Sequence, residues 1–390
     1  MASIFAGRMQ ELGTETAFEV LAKAKALEKQ GREIIHLEIG EPDFDTPQNI
    51  RDAAIQAMNS GYTHYVPAAG IPELREAIAQ YIADTRDIDV SPEEVVVTPG
   101  AKPIIFFSVL ACVEVGDEVM YPNPGFPIYE SMIKFVGAKP VPMPLKEENS
   151  FALDTEDTVA KISDKTKMII LNFPENPTGG VLTPDNLEAI ADKVKGRDDL
   201  LIISDEMYSR IIFEGEHSSI ASLPGMKRNT VILDGFSKTY AMTGWRLGYG
   251  VMRKDLAQKI AQLVINSNSC TCAFCQMAGI EALQGPQDEA EKMVEQFKRR
   301  REVIVSGLNK IDGMACMKPQ ATFYAFPNVT ALDMDSKALP DFLLNKAGVA
   351  TLAGTAFGEY GQGYLRFSFA NSIPNIEKAL TRIEEALQTL

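Results

Sequence analysis

Short, largely apolar runs recur through the middle of this chain and alternate with helical patterns. This alternation constrains the fold more than any other feature. The predicted strands are 94–97, 119–121, 168–171, 200–203 and 231–233. Helical patterns follow at 101–112, 127–135 and 184–194. Buried strands joined through helices predict a mainly parallel sheet covered on both faces, hence an α/β fold. Ligands of such sheets bind beyond the carboxyl ends of the strands.

The chain beyond residue 285 has a different pattern, which predicts a smaller α+β domain. A long amphipathic helix is followed by strand-like, helical, strand-like and helical segments, at 286–312, 323–326, 338–346, 364–369 and from 374 onward. An opening helix at 16–30 is expected to join them. We therefore predict a large domain at 46–285 and a small domain split between 1–45 and 286–390.

Composition and charge narrow the classes of partner. With 390 residues, of which 45% are hydrophobic, the chain is long enough for two packed units. The net charge of −15 opposes binding to nucleic acid or to an anionic membrane, since both repel an acidic protein. No run approaches the ~20 apolar residues of a membrane span, and residues 1–13 lack a signal-peptide pattern. We predict a cytoplasmic protein that binds neither nucleic acid nor membrane.

Residues 237–249 (SKTYAMTGWRLGY) follow the predicted strand 231–233 closely. Lys238 has a hydroxyl before it, in Ser237, and an arginine eight positions later, in Arg246. An amine held away from water loses its proton more easily, and only the neutral amine attacks an aldehyde. Ser237 and Arg246 can hold a phosphate beside it, through a hydroxyl and a forked guanidinium. A lone lysine is ordinarily a solvated surface charge, and that alternative stays open at this point.

This segment closely resembles the lysine motif of the class I/II, fold type I aminotransferases that use pyridoxal phosphate, in the aspartate-aminotransferase-like subgroup. The resemblance runs from about residue 16 to the C-terminus. Further matching stretches are 40–44 (GEPDF), 65–75 (YVPAAGIPELR), 172–180 (NFPENPTGG) and 363–368 (GYLRFS). It implies pyridoxal 5′-phosphate as the cofactor, held by Lys238 as an internal aldimine, and a homodimer with active sites at the interface. Lys238 is then the catalytic residue, which moves a proton from the substrate α-carbon to the cofactor.

Two strand ends supply candidates for the cofactor ring. Asp205 follows the strand 200–203, and a carboxylate there can pair with a protonated pyridine nitrogen, which keeps the ring an electron acceptor. Tyr208, three positions on, can hydrogen-bond the ring hydroxyl. The prolines around Asn176 fix a rigid turn that aims its amide at a ligand, and the resemblance puts it against the ring hydroxyl and the substrate. Taken alone, Asp205 is equally a turn cap and Asn176 part of a plain turn.

The start of the predicted helix 101–112 is a candidate phosphate site, because free amides at a helix N-terminus attract anions. The resemblance places Gly100, Ala101 and Lys102 at the cofactor phosphate or at the mouth of the substrate site. Lys102 matches a position that meets the substrate's distal carboxylate in one aspartate-aminotransferase subgroup, with an exposed surface lysine as the alternative. Phe126 matches the aromatic residue that stacks on the cofactor ring, where that subgroup carries tryptophan; ordinary core packing is the alternative.

Arg366 lies on an otherwise apolar predicted strand, so its charge needs a partner from elsewhere. Bidentate binding of the substrate α-carboxylate would supply one, and a buried ion pair with a distant residue is the alternative. By resemblance, Gly40 approaches the substrate carboxylate and Phe18 lines the substrate pocket. The resemblance also implies that Tyr65 reaches the cofactor phosphate in the neighbouring subunit.

The resemblance implies ping-pong transamination between an L-amino acid and a 2-oxo acid. Lys102 favours aspartate or glutamate as the donor, with 2-oxoglutarate as acceptor, whereas Phe126 and Phe18 favour an apolar or small one. Alanine and aromatic donors are therefore alternatives. Carbon–sulfur lyases share these motifs, because a fold does not fix the reaction. An aminotransferase-like regulatory sensor is a non-enzymatic alternative, which the acidic charge disfavours where DNA is the target.

Two further clusters are interpreted as structural. Cys270, Cys272 and Cys275 supply three thiols with no histidine nearby, and we predict buried small side chains rather than a metal site. The basic run 298–301 has acidic neighbours on both sides in a helical pattern. We predict that it forms a solvated helix face.

Overall fold

The computed structural model describes residues 4–390. Its helices, α1 to α12, are Thr16–Glu28, Gln48–Asn59, Pro72–Arg86, Lys102–Cys112, Ile128–Phe135, Thr155–Lys161, Pro184–Val194, Lys254–Ser267, Ala273–Gln284, Asp288–Leu308, Leu339–Lys346 and Ile373–Leu387. Its strands, β1 to β12, are Ile35–His36, Val95–Thr98, Glu118–Asn123, Lys139–Pro144, Thr166–Asn172, Leu201–Asp205, Thr230–Gly235, Gly248–Val251, Tyr324–Ala325, Val349–Ala350, Leu352–Ala353 and Leu365–Ser368.

A seven-stranded sheet, in the order β2-β8-β7-β6-β5-β3-β4, organises the middle of the chain. All neighbouring pairs are parallel except those of β8, which is antiparallel to both β2 and β7. The predicted α/β fold with a mainly parallel sheet is confirmed. The sequence prediction missed β4 and β8, because β4 is a proline-rich edge strand and β8 carries two glycines in four residues.

The five predicted strands form because their side chains are buried on both faces of the sheet. Within β5, Ile170 enters a core shared with α4, α5 and α8, whereas its neighbour Ile169 enters a core on the other face, shared with α7. Strands that alternate between two apolar layers read as continuous apolar runs. Because these strands run in the same direction, their carboxyl ends meet at one edge of the sheet, where the connecting loops begin.

The N-terminal segment pairs with the C-terminal part of the chain. β1 lies parallel to β10, with Ile35 opposite Val349, and α1 packs into an apolar cluster with Leu344 and Leu352. A separate antiparallel sheet has the order β11-β12-β9. This pairing agrees with a small domain split between 1–45 and 286–390 beside a large domain at 46–285. That division stays a prediction, and residues 1–3 lie outside the described part.

The basic run 298–301 is the solvated helix face that we predicted only at Lys298 and Arg299, which are exposed. Arg300 and Arg301 are buried side chains of α10. Arg300 donates two hydrogen bonds to the Asp43 carboxylate, at 2.5 and 3.0 Å, while Arg301 donates to Glu214 at 3.0 Å. Arg301 also pairs with the adjacent Glu302 at 2.9 Å, but Asp43 and Glu214 come from distant segments that a sequence window centred on the run does not contain. Within residues 4–390, no helix is long and apolar enough to cross a membrane.

The cysteine cluster is only partly buried. Cys275 is buried in α9, but Cys272 is exposed at the start of that helix and Cys270 is intermediate. The prediction of buried small side chains is therefore wrong for Cys272. The helix begins at Ala273, and Cys272 before it has a non-helical backbone, so helical periodicity does not bring its side chain onto the buried face that holds Cys275.

Candidate active site

A cavity of about 420 Å³ opens at the carboxyl ends of β5, β6 and β7. Most of the residues predicted for the site line it: Phe18, Gly40, Ala101, Lys102, Phe126, Asn176, Asp205, Tyr208, Ser237, Lys238, Arg246 and Arg366. A larger cavity, of about 720 Å³, lies near the opposite ends of these strands and holds none of them. The smaller cavity is the candidate site, because it alone collects the charged groups whose chemistry the sequence singled out.

Lys238 points its amine into this cavity. Its Nζ donates a hydrogen bond to the Gly40 carbonyl at 2.5 Å. Burial lowers the pKa of Lys238 to about 8; the Glu41 carboxylate opposes this shift, and Arg366 and Arg246 add to it. A substantial fraction of the amine is therefore neutral near pH 8, which suits attack on a carbonyl carbon.

Asp205, the last residue of β6, is buried at the floor of the cavity. Its Oδ2 accepts a hydrogen bond from the Tyr129 hydroxyl at 2.6 Å, and its Oδ1 accepts one from the Met207 amide at 3.3 Å. Burial raises the pKa of Asp205 to about 6, although both hydrogen bonds oppose the rise. A cationic ligand group would stabilise this carboxylate strongly. The sequence analysis missed Tyr129, whose only signal was its place one helical turn after Phe126.

A pair of tyrosines closes one side of the cavity. The Tyr208 and Tyr324 hydroxyls are hydrogen-bonded to each other at 2.7 Å. Gly40 lies against Tyr324 so closely that a Cβ atom there would overlap the tyrosine hydroxyl. Tyr208 therefore lines the cavity with its hydroxyl bonded to Tyr324, which the sequence analysis had interpreted only as part of a strand.

A concave cradle forms where the loop before α4 meets Arg246. Gly100 has a φ of +81°, and a Cβ atom there would overlap the Arg246 guanidinium. A Cβ atom at Gly248 would likewise overlap the Ala101 backbone. Arg246 donates to the Thr243 carbonyl at 2.8 Å through Nη1. Gly100, although it is not among the lining residues, thus allows the arginine to approach the N-terminus of α4.

Arg366 is a buried guanidinium without a carboxylate among its hydrogen-bond partners. Its Nη1 donates to Asn176 Oδ1 at 3.1 Å and its Nη2 donates to the Glu38 carbonyl. The ring centroids of Tyr324 and Phe357 lie 4.5 and 4.8 Å from its central carbon. The buried Nε has no hydrogen-bond partner among the described residues. A buried cation with only neutral partners is prepared to receive an anion.

The mouth of the cavity carries an ion pair. Lys102 contacts the Glu15 carboxylate, and its Nζ lies 5.1 Å from the Phe126 ring centroid. Phe126 in turn packs edge-to-face on Tyr129 at 5.9 Å. Phe18 lines the rim with its side chain largely exposed, at 61%. Glu15 was not predicted, because a glutamate before a helix resembles any other surface acid.

Tyr65 stands apart from the other candidates. It is 88% exposed and lines a different cavity, with Cys270 and Thr271. It does not line the candidate cavity of its own chain, and its expected role toward a neighbouring subunit stays a prediction.

A profile of the family described as aminotransferase class I and II matches residues 32–383. The chain belongs to this family. An aspartate aminotransferase of Pyrococcus horikoshii is 40% identical to it over 372 residues, which cover 95% of this chain and 94% of the relative. Aromatic-amino-acid aminotransferase 2 of Thermococcus litoralis is 38% identical over 359 residues, 91% of this chain and 92% of the relative.

The solved structure of an alanine aminotransferase from Pyrococcus furiosus superposes with a TM-score of 0.93 at 33% identity, covering 99% of this chain and 100% of that one. The chain is therefore an aminotransferase, and the candidate cavity lies where this α/β fold is expected to bind a ligand.

Proposed function

We propose that this aminotransferase uses pyridoxal 5′-phosphate and transfers the amino group of an L-amino acid to a 2-oxo acid, as a cytoplasmic homodimer. The observation that carries the proposal is the buried amine of Lys238, whose pKa is lowered to about 8, in a cavity that also holds Asp205, Arg246 and Arg366. When bound, the cofactor supplies an electron-withdrawing ring that makes loss of the substrate α-proton feasible.

The residues of the cavity fit this cofactor. Gly100 lets Arg246 approach the N-terminus of α4, where Ser237, Ala101 and Lys102 also line the cavity, and these groups together suit a phosphate. The buried Asp205 carboxylate, held by Tyr129, suits a protonated ring nitrogen. Further proposed cofactor contacts come from Phe126, Asn176, Tyr208 and, from the neighbouring subunit, Tyr65.

The chain's own groups then divide the work. Arg366 binds the substrate α-carboxylate, helped by Asn176 and by the Gly40 backbone. Lys238, as the free amine, carries a proton to and from the substrate α-carbon, and its position beside Gly40 holds it near that carboxylate site. Phe18 covers the rim of the substrate pocket.

For the substrates, we propose aspartate or glutamate as donor and 2-oxoglutarate as acceptor, with alanine and aromatic donors as the second possibility. The aspartate aminotransferase of P. horikoshii supports the first, and the alanine and aromatic enzymes support the second. Lys102 at the mouth is the cation that an acidic side chain would need.

An absorption titration tests the proposal. The protein is purified with pyridoxal phosphate, and single L-amino acids are added without any oxo acid. We expect one donor to convert the spectrum of the lysine-bound cofactor to that of its aminated form, and 2-oxoglutarate to restore it. Formation of pyruvate or ammonia without reversible conversion would instead indicate a lyase.

Lys238→Ala should show no lysine-bound spectrum and no turnover. Lys254→Ala is the matched control, because Lys254 is an exposed lysine at the start of α8, outside the cavity. A Lys238→Ala variant with near-normal transamination would overturn the role of this lysine.

A further inference from the structure

The residue immediately before α1, Glu15, faces the candidate site rather than its own helix. A side chain at this position ordinarily accepts a hydrogen bond from the first turn, but Glu15 makes no such bond. Its carboxylate instead contacts Lys102, 87 residues away in sequence. Both side chains line the cavity, and they are 24% and 40% exposed. The opening helix thus delivers an anion to Lys102, the only lysine at the mouth among residues 4–390.

The charges of the cavity show what this anion does. If the roles proposed above hold, Asp205, Arg246, Arg366 and Lys238 are all engaged by the cofactor or by the substrate α-carboxylate. The charged residues left for a substrate side chain are then Lys102, Glu15 and Glu41. Glu41 accepts a hydrogen bond from the Thr243 hydroxyl. The remaining region carries one cation and two anions, and the cation is already paired.

We propose that Glu15 is a specificity-determining residue, which competes with the second carboxylate of an acidic substrate for Lys102. The proposal rests on the proposed function. Aspartate or glutamate must displace the Glu15 carboxylate before its own side chain can pair with Lys102. A donor with a small or apolar side chain leaves the pair intact and packs against Phe126 and Phe18. Glu15 therefore shifts the preference of this chain from acidic toward neutral donors.

The size of the effect follows from the exposure of the pair. Both partners are partly solvated, so the pair is worth less than a buried one and more than a fully exposed one. We expect Glu15→Gln to raise the ratio of kcat/KM for aspartate to that for alanine by about 3- to 10-fold. The same oxo acid is used with both donors. Glu19→Gln, an exposed glutamate one turn along α1 and outside the cavity, is the matched control and should leave the ratio unchanged.

A binding measurement separates affinity from chemistry. The α-methylated analogues 2-methylaspartate and 2-aminoisobutyrate lack an α-proton and cannot be turned over. Glu15→Gln should tighten binding of the holoenzyme to 2-methylaspartate by a similar factor and leave 2-aminoisobutyrate unchanged. An equal change for both analogues, or for both donors, would mean that Glu15 acts only on the structure of the site, and would overturn the proposal.

A double-mutant cycle distinguishes competition from plain repulsion. Lys102→Gln removes the cation for which the two carboxylates compete. In that background Glu15→Gln should therefore raise kcat/KM for aspartate by a clearly smaller factor. An equal gain with and without Lys102 would refute competition. A wild-type holoenzyme that converts no donor would overturn the proposed function and the specificity role with it. A wild-type enzyme that converts donors, with a ratio insensitive to Glu15→Gln, would overturn the specificity role alone.

Discussion

Replacing Asp205 by asparagine should stabilise the cofactor-free protein while it abolishes transamination. Burial raises the pKa of Asp205 from 3.8 to about 6, so the folded state resists ionising this carboxylate. Each pKa unit corresponds to about 1.4 kcal/mol, so ionised Asp205 lowers the free energy of unfolding by about 3 kcal/mol at pH 8. An asparagine has one acceptor oxygen for the two donors, Tyr129 and Met207, which costs about 1 kcal/mol. Asp205→Asn should therefore raise the free energy of unfolding by about 2 kcal/mol at pH 8.

The sign of the pH dependence is fixed by the direction of the shift. The folded pKa lies above the unfolded value, so the folded state binds more protons between 3.8 and about 6. The destabilisation is absent below this range, grows through it and is complete above it. The advantage of Asp205→Asn should therefore be largest at pH 8 and fall to below about 1 kcal/mol at pH 5.

Thermal unfolding of the two apoproteins at pH 5 and pH 8 measures this difference. For 390 residues the unfolding entropy is about 0.8 kcal/mol per degree, so we expect a rise in Tm of about 2–3 °C at pH 8 and of less than 1 °C at pH 5. Asp255→Asn, which removes an exposed carboxylate paired with Arg253, controls for the loss of one negative charge and should give no rise. An Asp205→Asn protein that is less stable than wild type at pH 8, or a gain that is independent of pH, would refute the reasoning.

Three further predictions concern Tyr129, Lys238 and the buried ion pair of Arg86 with Glu206. Tyr129→Phe removes the hydroxyl that stabilises ionised Asp205, so the pKa of Asp205 in the cofactor-free protein should rise by about one unit, as measured by NMR titration of the carboxyl group; an unshifted titration would contradict this. Attachment of pyridoxal phosphate to the apoprotein should speed up with pH around a midpoint of about 8, where half of the Lys238 amine is neutral, whereas a midpoint near 10.5 would show an unperturbed lysine. Arg86→Leu leaves the buried Glu206 carboxylate without its 2.6 Å partner, and chemical denaturation should report a loss of about 3–5 kcal/mol; a loss below 1 kcal/mol would show that the pair is dispensable.

The sequence was most informative where function depends on consecutive residues. Lys238, Ser237 and Arg246 fall within one stretch of thirteen residues that follows a strand, and the position of the strand was readable from its apolar side chains. Asp205 was found for the same reason, because it ends a strand. The family match and the seven-stranded sheet confirm the aminotransferase assignment and the fold class. The roles of the individual residues stay proposals.

The partners of these residues were not readable in the same way. Tyr129 is 76 positions from Asp205, and Tyr324 is 116 positions from Tyr208. A tyrosine in a helix or a strand carries no mark of the distant group that it contacts. The buried Arg300 gave a wrong prediction for this reason, since its partner Asp43 is 257 positions away.

The sequence by itself determined the periodicity of the strands and helices, the location of the strand ends and the chemical groups placed there. These features depend on neighbours within a few residues, whose spacing is fixed by backbone geometry. Only the tertiary structure decided which charges are paired. Lys102 was readable as a cation at a helix start, but its pairing with Glu15 exists because α1 folds back over the mouth of the cavity. Electrostatic energy depends on distance in space and on exclusion of water, and neither is written in the order of the residues.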